Sequence, residues 1–356
     1  MRCWRRNARI LLPILLALLL AGISTKPLGA GASGAAPAPS AHTASAQQPR
    51  ARVTIGLLPV IPSATIFVPR DKGYFAEEGV EVDWEMAQAT SEALTQTAAG
   101  HLDLAQATVG AAVLNAFSSG LDLRIVAGMH GMPPEGPGGD PIVVRKDLYD
   151  SGAVRDPAGL RGRKVAFNAP GLFVEYGVDA AMRTVGLTID DVVIQTIPFP
   201  DIPTAFANGI IDAAFLPEPF ATQTMERGLT AQIIPDLLRG AQVTVLIAGR
   251  AFLQDRATAE AFMRGYLRGL RDLQRDGWGS PEHAAIIERY TRVPAATIQR
   301  ILPQYADPDG RINWDSLMDQ QRFYLARGYL RYAEPLDLLQ WSDDGPRQAA
   351  LQALAR

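Results

Sequence analysis

The sequence has one cysteine, Cys3, and four histidines among 356 residues. One thiol forms no intramolecular disulfide and no cysteine-based zinc site. His42, His101, His130 and His283 are scattered, with no H-E-x-x-H pair. There is no G-x-x-x-x-G-K-[ST], G-x-G-x-x-G or G-x-S-x-G segment, so the usual signatures of phosphate-cradling loops, dinucleotide folds and serine hydrolases are missing. The expectation is therefore a protein with no cofactor and no catalytic residues. The only long apolar run, residues 10–22, is too short and too close to the start for an ordinary membrane span. Charge is nearly balanced, with 34 Lys and Arg against 37 Asp and Glu. A nucleic-acid binder needs a concentrated basic face, so nucleic acid is not expected as a partner.

What is present begins with an address. Arg2, Arg5, Arg6 and Arg9 precede the apolar stretch 10–21, and small residues follow, with A-x-A sites at Ala30-Gly31-Ala32 and Ala44-Ser45-Ala46. Basic, apolar, small is the layout of a secretory leader. Ile23 follows Leu20-Ala21-Gly22 where a lipid-anchored chain would need Cys. The chain is thus expected to be exported, to the periplasm or the cell surface, without an anchor at that position. Residues 29–49 are rich in Ala, Gly, Ser, Pro and Gln and read as a tether. Cleavage after Ala46 removes five of the 34 basic residues and no acidic one, leaving 29 against 37.

From Arg52 onward, short apolar runs alternate with amphipathic ones, which predicts parallel sheet with crossover helices. The pattern occurs twice, over about 52–145 and 146–243. A short echo supports the repeat: Gly100-His101-Leu102-Asp103-Leu104-Ala105 and Gly209-Ile210-Ile211-Asp212-Ala213-Ala214 share G-x-[LI]-D-x-A. The apolar runs 140–145 and 244–248 read as crossovers. Beyond 250 the signal is helical. The expected organisation is a leader and tether (1–46), a linker (47–51), a first lobe (52–145), a second lobe inserted into it (146–243), and a return to the first lobe with C-terminal helices packed on it (244–356).

In open α/β sheets, ligands sit beyond the carboxyl ends of the strands. Ser63, Thr65, Thr90, Ser91, Thr108 and Asn168 fall there, mostly ahead of helices, where a free N-terminus favours a negative or acceptor-rich ligand. Each is equally suited to capping its helix, with Thr90 or Ser91 the expected cap of the helix at 91–99. Their number favours a pocket. Gly171 shares the loop after the strand at 164–166. Phe173 and Phe220 read as aromatic walls or as core. Glu218, between two prolines, reads as a first-turn acid matching the helix dipole or as a cleft carboxylate for an amine-bearing ligand. His130 follows an expected strand end, as a ligand contact or an exposed loop residue. Asp190-Asp191 reads as a solvated turn.

Several segments carry a family resemblance. Asp71-Lys72-Gly73-Tyr74-Phe75-Ala76-Glu77-Glu78-Gly79-Val80-Glu81-Val82 looks like the "kGyFaeeGleV" segment of ABC-importer solute-binding proteins of the nitrate/taurine/alkanesulfonate type, which are related to thiamine-pyrimidine synthases. Ala99-Gly100 with Asp103, Leu160-Arg161-Gly162-Arg163-Lys164-Val165-Ala166, and Asn208-Gly209 through Asp212-Ala213 to Glu218-Pro219 follow in the family's order over about 52–250. The resemblance implies a type II two-lobe periplasmic-binding-protein fold and a monomer. It implies partnership with an ABC permease and its ATPase, to which a small solute is delivered. The solute it suggests is sulfonate-, nitrate- or carboxylate-like. Glu218, the phenylalanines and the lack of Lys or Arg at strand ends suggest an aminopyrimidine or another aromatic instead. The pyrimidine-forming relatives carry a Cys-rich motif that this sequence lacks.

Overall fold

The computed structural model describes residues 51–356, apart from 88 and 235. The expected leader, its cleavage sites and the tether lie outside the described residues. Of the expected linker only Ala51 is described, and it already belongs to a strand.

Ten strands occur in chain order: β1 (Ala51–Leu57), β2 (Val80–Met86), β3 (Leu104–Thr108), β4 (Leu123–Gly131), β5 (Ile142–Arg145), β6 (Lys164–Phe167), β7 (Val193–Thr196), β8 (Ala213–Phe215), β9 (Thr230–Gln232) and β10 (Gln242–Gly249). They form two five-stranded sheets, ordered β2-β1-β3-β10-β4 and β7-β6-β8-β5-β9. In each sheet the fourth strand of that order runs antiparallel and is the piece that crosses from the other lobe. The two sheets therefore have the same topology. β5 reads as the end of the first lobe in sequence, yet it pairs with β8 and β9 of the second sheet, so that lobe's share ends before Ile142. Its apolar Ile142, Val143 and Val144 are buried on both faces, which is what a central strand requires.

The sequence echo has a structural cause. The Asp103 carboxylate accepts the Thr54 N–H at 2.8 Å, and the Asp103 N–H donates to the Thr54 carbonyl. The Asp212 carboxylate accepts the Lys164 N–H at 3.0 Å, and its own N–H donates to the Lys164 carbonyl. Each Asp thus satisfies backbone groups of a strand in its own sheet, β1 and β6. Gly100 and Gly209 take left-handed conformations at the preceding helix ends, which glycine adopts without strain.

The segment that resembles the importer family is a docking surface. Phe75 stacks on Phe262, Tyr74 hydrogen-bonds Asp272, and Glu77 and Glu78 meet Arg268 and Arg264. All four partners lie on the helix Arg256–Asp276, which is thereby clamped to the first sheet. The first helix runs from Ala64 to Asp71. Pro62 in the preceding turn presets φ for helix entry, and the apolar run 64–68 is fully buried.

Two segments cross between lobes, after β4 and before β10. They pair with one another: Met132 N–H donates to Ala241 O, and Gly240 N–H to Pro133 O. The C-terminal helices contact both lobes. Helix Trp314–Ala326 brings Asp319 to Tyr176 at 2.7 Å in the second lobe, while Tyr324 lies buried in an apolar cluster shared with Val109, Val113 and Phe173. The surface of each lobe facing this helix is apolar, so burial draws it to both.

Candidate functional site

The carboxyl ends of the two sheets meet. The loop after β6 reaches the loop after β3, where the Gly171 carbonyl accepts the Ala111 N–H at 2.9 Å. Gly110 allows this approach, since a Cβ there would lie 2.7 Å from the Gly171 oxygen. The N-terminal amide of the helix Ala111–Ser118 is thus already bonded to protein. A second interlobe bond runs from the Tyr329 hydroxyl to Glu175 Oε1 at 2.9 Å, and Glu175 Oε2 takes the Gly171 N–H at 2.6 Å.

Buried polar atoms with no hydrogen-bond partner among the described residues include Gln106 Nε2, His130 Nδ1, Thr244 Oγ1, Trp278 Nε1, Asn168 Oδ1 and Gln232 Nε2. The first three belong to adjacent strands of the first sheet. Thr244 is in register with both Thr108 and His130. On β3, Leu104 packs into the apolar cluster on the side of helix Arg256–Asp276, and Gln106 shares its face by the two-residue alternation of a strand. The His130 and Trp278 rings meet edge to face at 6.2 Å. Asn168 and Gln232 stand at the carboxyl ends of β6 and β9 in the other lobe. A buried polar group without a partner costs about 1–3 kcal/mol. These groups, on strands of both sheets and on the turn that carries Trp278, make up the candidate site.

The orientation of Gln106 follows from its bonds. Its Oε1 accepts from Leu58 N–H at 3.2 Å and from the Ser63 hydroxyl at 2.6 Å, so its NH2 is the group left free. His130 is held by the Gln304 side chain, and burial pushes its pKa down to about 4, so the ring is neutral at pH 7. The free groups therefore comprise three N–H donors (Gln106, Trp278, Gln232), one acceptor (Asn168) and two groups that serve as either (Thr244, His130). None is a cation.

Two buried acids flank the cluster. Burial pushes Asp140 and Glu218 up to about 7, in Asp140 against one bond from the Glu218 N–H. Glu218 follows β8 and accepts from Thr222 N–H, the Thr222 hydroxyl and Leu302 N–H at 2.8–3.1 Å. It thereby ties the C-terminal segment to the second lobe. A carboxyl whose pKa is raised on folding holds more protons folded than unfolded, so stability falls as pH rises from about 4 to about 7. Asp140→Asn keeps the acceptor and removes the charge. Thermal melts of this variant should show a gain of several degrees at pH 8 that shrinks through pH 5 and vanishes below about pH 4; a gain independent of pH would exclude the effect.

The expected site residues divide as follows. His130 lies inside β4 rather than beyond its end, because pairing with β10 extends the strand, and it is buried rather than exposed. His130 and Asn168 present free polar atoms, and Thr108 sits half-buried beside Thr244. Ser63 and Thr65 are buried and already bonded, to Leu58 O and Gln106 and to Pro62 O. Thr90 and Ser91 fall within the first turn of the helix Thr90–Ala98, whose cap is Ala89 with no side-chain bond, so neither caps it. Gly171 makes the interlobe contact. Phe173 is core, against Tyr176 and Phe215, and Phe220 stacks on Phe199. Asp190 is an exposed turn residue paired with Arg327. Gln106, Thr244, Gln232 and Trp278 were not singled out in sequence. The available signal was a polar residue on the inward face of an otherwise apolar strand, at Gln106 and Thr244.

A cavity of about 220 Å³ opens on the outer flank of His130, lined by Met132, Gln242, Tyr305, Asp307 and Arg311 among others. Its polar side chains are already paired: Gln242 with His130 O and Thr244 O, Arg311 with Asp309, and Asp307 with Asp309 N–H. It adjoins the cluster and shares His130 with it.

The two repeated lobes, with their hinge strands and polar junction, form a type II periplasmic-binding-protein fold. The chain belongs to the NMT1-like family, whose model matches residues 46–282. It is 27% identical over 271 residues to the riboflavin-binding protein RibY of Chloroflexus aurantiacus, covering 73% of this chain and 72% of that one. Among solved structures it resembles the periplasmic aliphatic sulphonate binding protein SsuA of Escherichia coli, at 18% identity and TM-score 0.65 over 82% of this chain and 92% of that one. The desulfurization enzyme DszB has a similar fold, at 17% identity and TM-score 0.59 over 86% of this chain and 100% of that one. Solute-binding proteins thus predominate among its similar folds, and catalysis occurs on one of them. Among the described residues, no helix is long and apolar enough to cross a membrane.

Proposed function

We propose that the protein is the exported solute-binding component of an ABC importer, and that its solute is an uncharged, hydrogen-bonding heteroaromatic of the flavin or pyrimidine kind. The observation that carries this reading is the set of unpaired, uncharged polar groups on strands of both sheets and on the turn that carries Trp278. A ring edge with alternating C=O and N–H groups suits the donors of Gln106, Trp278 and Gln232 and the acceptor of Asn168. The edge of the Trp278 indole lines the same face. The likeness to a riboflavin-binding relative supports this ligand class. A sulfonate or nitrate would find no Lys or Arg among these six groups, the nearby Arg327 is already paired with Glu175 and Asp190, and the Ala111 amide is bonded to Gly171. Lobe opening about the paired crossovers would admit the solute, and closure would surround it.

Release of an unaltered solute is the second part of the proposal. The only thiol in the chain is Cys3, and His130 contacts Gln304 and Trp278 rather than a nucleophile. The partners are then a permease and its ATPase, the protein acts as a monomer, and the leader is removed on export. Calorimetric titration with riboflavin, a pyrimidine, taurine and nitrate tests the ligand class. Saturable binding confined to the heteroaromatics is expected. Tighter binding of taurine or nitrate would overturn the ligand class, and recovery of a ligand with altered mass would overturn the transport reading.

A further inference from the structure

A second constellation lies at the far end of the helix Arg256–Asp276, and nothing in the solute site uses it. Asp272 and Asp276 are four residues apart and so share a helix face. His283 comes from the first turn of the next helix, Pro281–Thr291, after the short turn that carries Trp278. One carboxylate oxygen of each Asp and one His283 ring nitrogen lie within 4.8 Å of one another.

Acidic clusters alone signify little, but His283 adds an independent fact. It is fully buried, and its Nδ1 lies 2.8 Å from the Gly277 carbonyl. A carbonyl only accepts, so Nδ1 carries the hydrogen. Nε2 is then left with a lone pair, and it is buried without a partner. Metal-binding histidines are characteristically held in this way, by an Nδ1–H bond to a backbone carbonyl.

The structure assigns Asp272, Asp276 and His283 as a site for one divalent transition-metal ion of the zinc type, clipping the turn that carries Trp278. One imidazole and two carboxylates form a borderline ligand set suited to zinc. Two cations already touch these acids. Lys72 Nζ is 2.7 Å from Asp272, and Arg275 bridges Asp272 at 2.6 Å and Asp276 at 2.7 Å. Lys72 and the Tyr74 hydroxyl hold one Asp272 oxygen and Arg275 the other. Arg275 is 65% exposed along its side chain, so it is the group that swings away when metal enters. The metal would then fix both ends of the 277–280 turn and with it the indole that faces the solute cluster.

The test is calorimetric titration of chelator-treated protein with zinc chloride, with magnesium chloride as the hard-cation comparison. One zinc per chain is expected, with magnesium at least tenfold weaker. Asp276→Asn, at an exposed position, and His283→Ala should each weaken zinc at least tenfold. Zinc should also change the tryptophan fluorescence of wild type, and Trp278→Phe should abolish that change while zinc still binds. No saturable zinc binding by wild type, or undiminished binding by Asp276→Asn, would overturn the assignment. Neither readout requires the solute, so the result stands apart from the reading of the cleft.

Discussion

Thr244→Val combined with Trp278→Phe should lower affinity for the heteroaromatic solute about 100-fold while leaving stability nearly unchanged. Both side chains carry a buried polar atom without a protein partner. In the complex each would make one hydrogen bond, and two bonds of ~1–1.5 kcal/mol each amount to ~2–3 kcal/mol, or about two orders of magnitude. In the solute-free protein the same atoms are a liability. Thr244→Val removes an unsatisfied hydroxyl at similar volume, and the resulting gain offsets the small cavity left by Trp278→Phe. A binding site that is costly to the empty protein is a common arrangement. Titration with riboflavin alongside a thermal melt separates the two effects. A large loss of stability with intact affinity would show that these groups are structural.

Tyr324→Ala should be the most destabilising of the changes considered, at about 3–5 kcal/mol. Tyr324 is fully buried on the helix Trp314–Ala326, in the apolar cluster that both lobes share. Its loss leaves a void between lobes rather than inside one. For a chain of this size the melting temperature should fall by about 5–8 °C. The same void loosens the closed junction, so solute affinity should fall as well, in contrast to a cavity mutation confined to one lobe. A melt unchanged within a degree would contradict the role assigned to this helix.

Much of the architecture is legible in the sequence because it rests on local signals. Alternating apolar runs, helix-ending glycines and the G-x-[LI]-D-x-A echo all act within a few residues. The echo reports a bond pattern, since Asp103 and Asp212 each bracket a strand in their own sheet. The placement of β5 in the second sheet was not legible, because a short apolar run carries no mark of which sheet it joins. The helix Trp314–Ala326 was readable as a helix but not as a bridge, since both its partners are distant in sequence.

The site divides along the same line. The sequence pointed to strand ends, and His130, Thr108 and Asn168 lie in or beside the candidate cluster. Ser63 and Thr65 occupy the expected edge, but nearby carbonyls and Gln106 take up their hydroxyls. Trp278 lies about 150 residues from His130 and reaches it only because residues 74–78 dock the helix Arg256–Asp276 on the first sheet. No local pattern encodes that meeting. Glu218 accepts from Thr222 in the helix it precedes and also from Leu302 N–H of the C-terminal segment, a partner that neither sequence reading contained.

The most direct measurement is a crystal structure of the mature protein grown with riboflavin. Planar density enclosed between the lobes is predicted, with polar ring atoms within hydrogen-bonding distance of Gln106 Nε2, Trp278 Nε1 and Asn168 Oδ1. Ligand bound only in the outer cavity beside Arg311, or a junction whose polar groups bond to one another or to water with the ligand excluded, would contradict the proposed site.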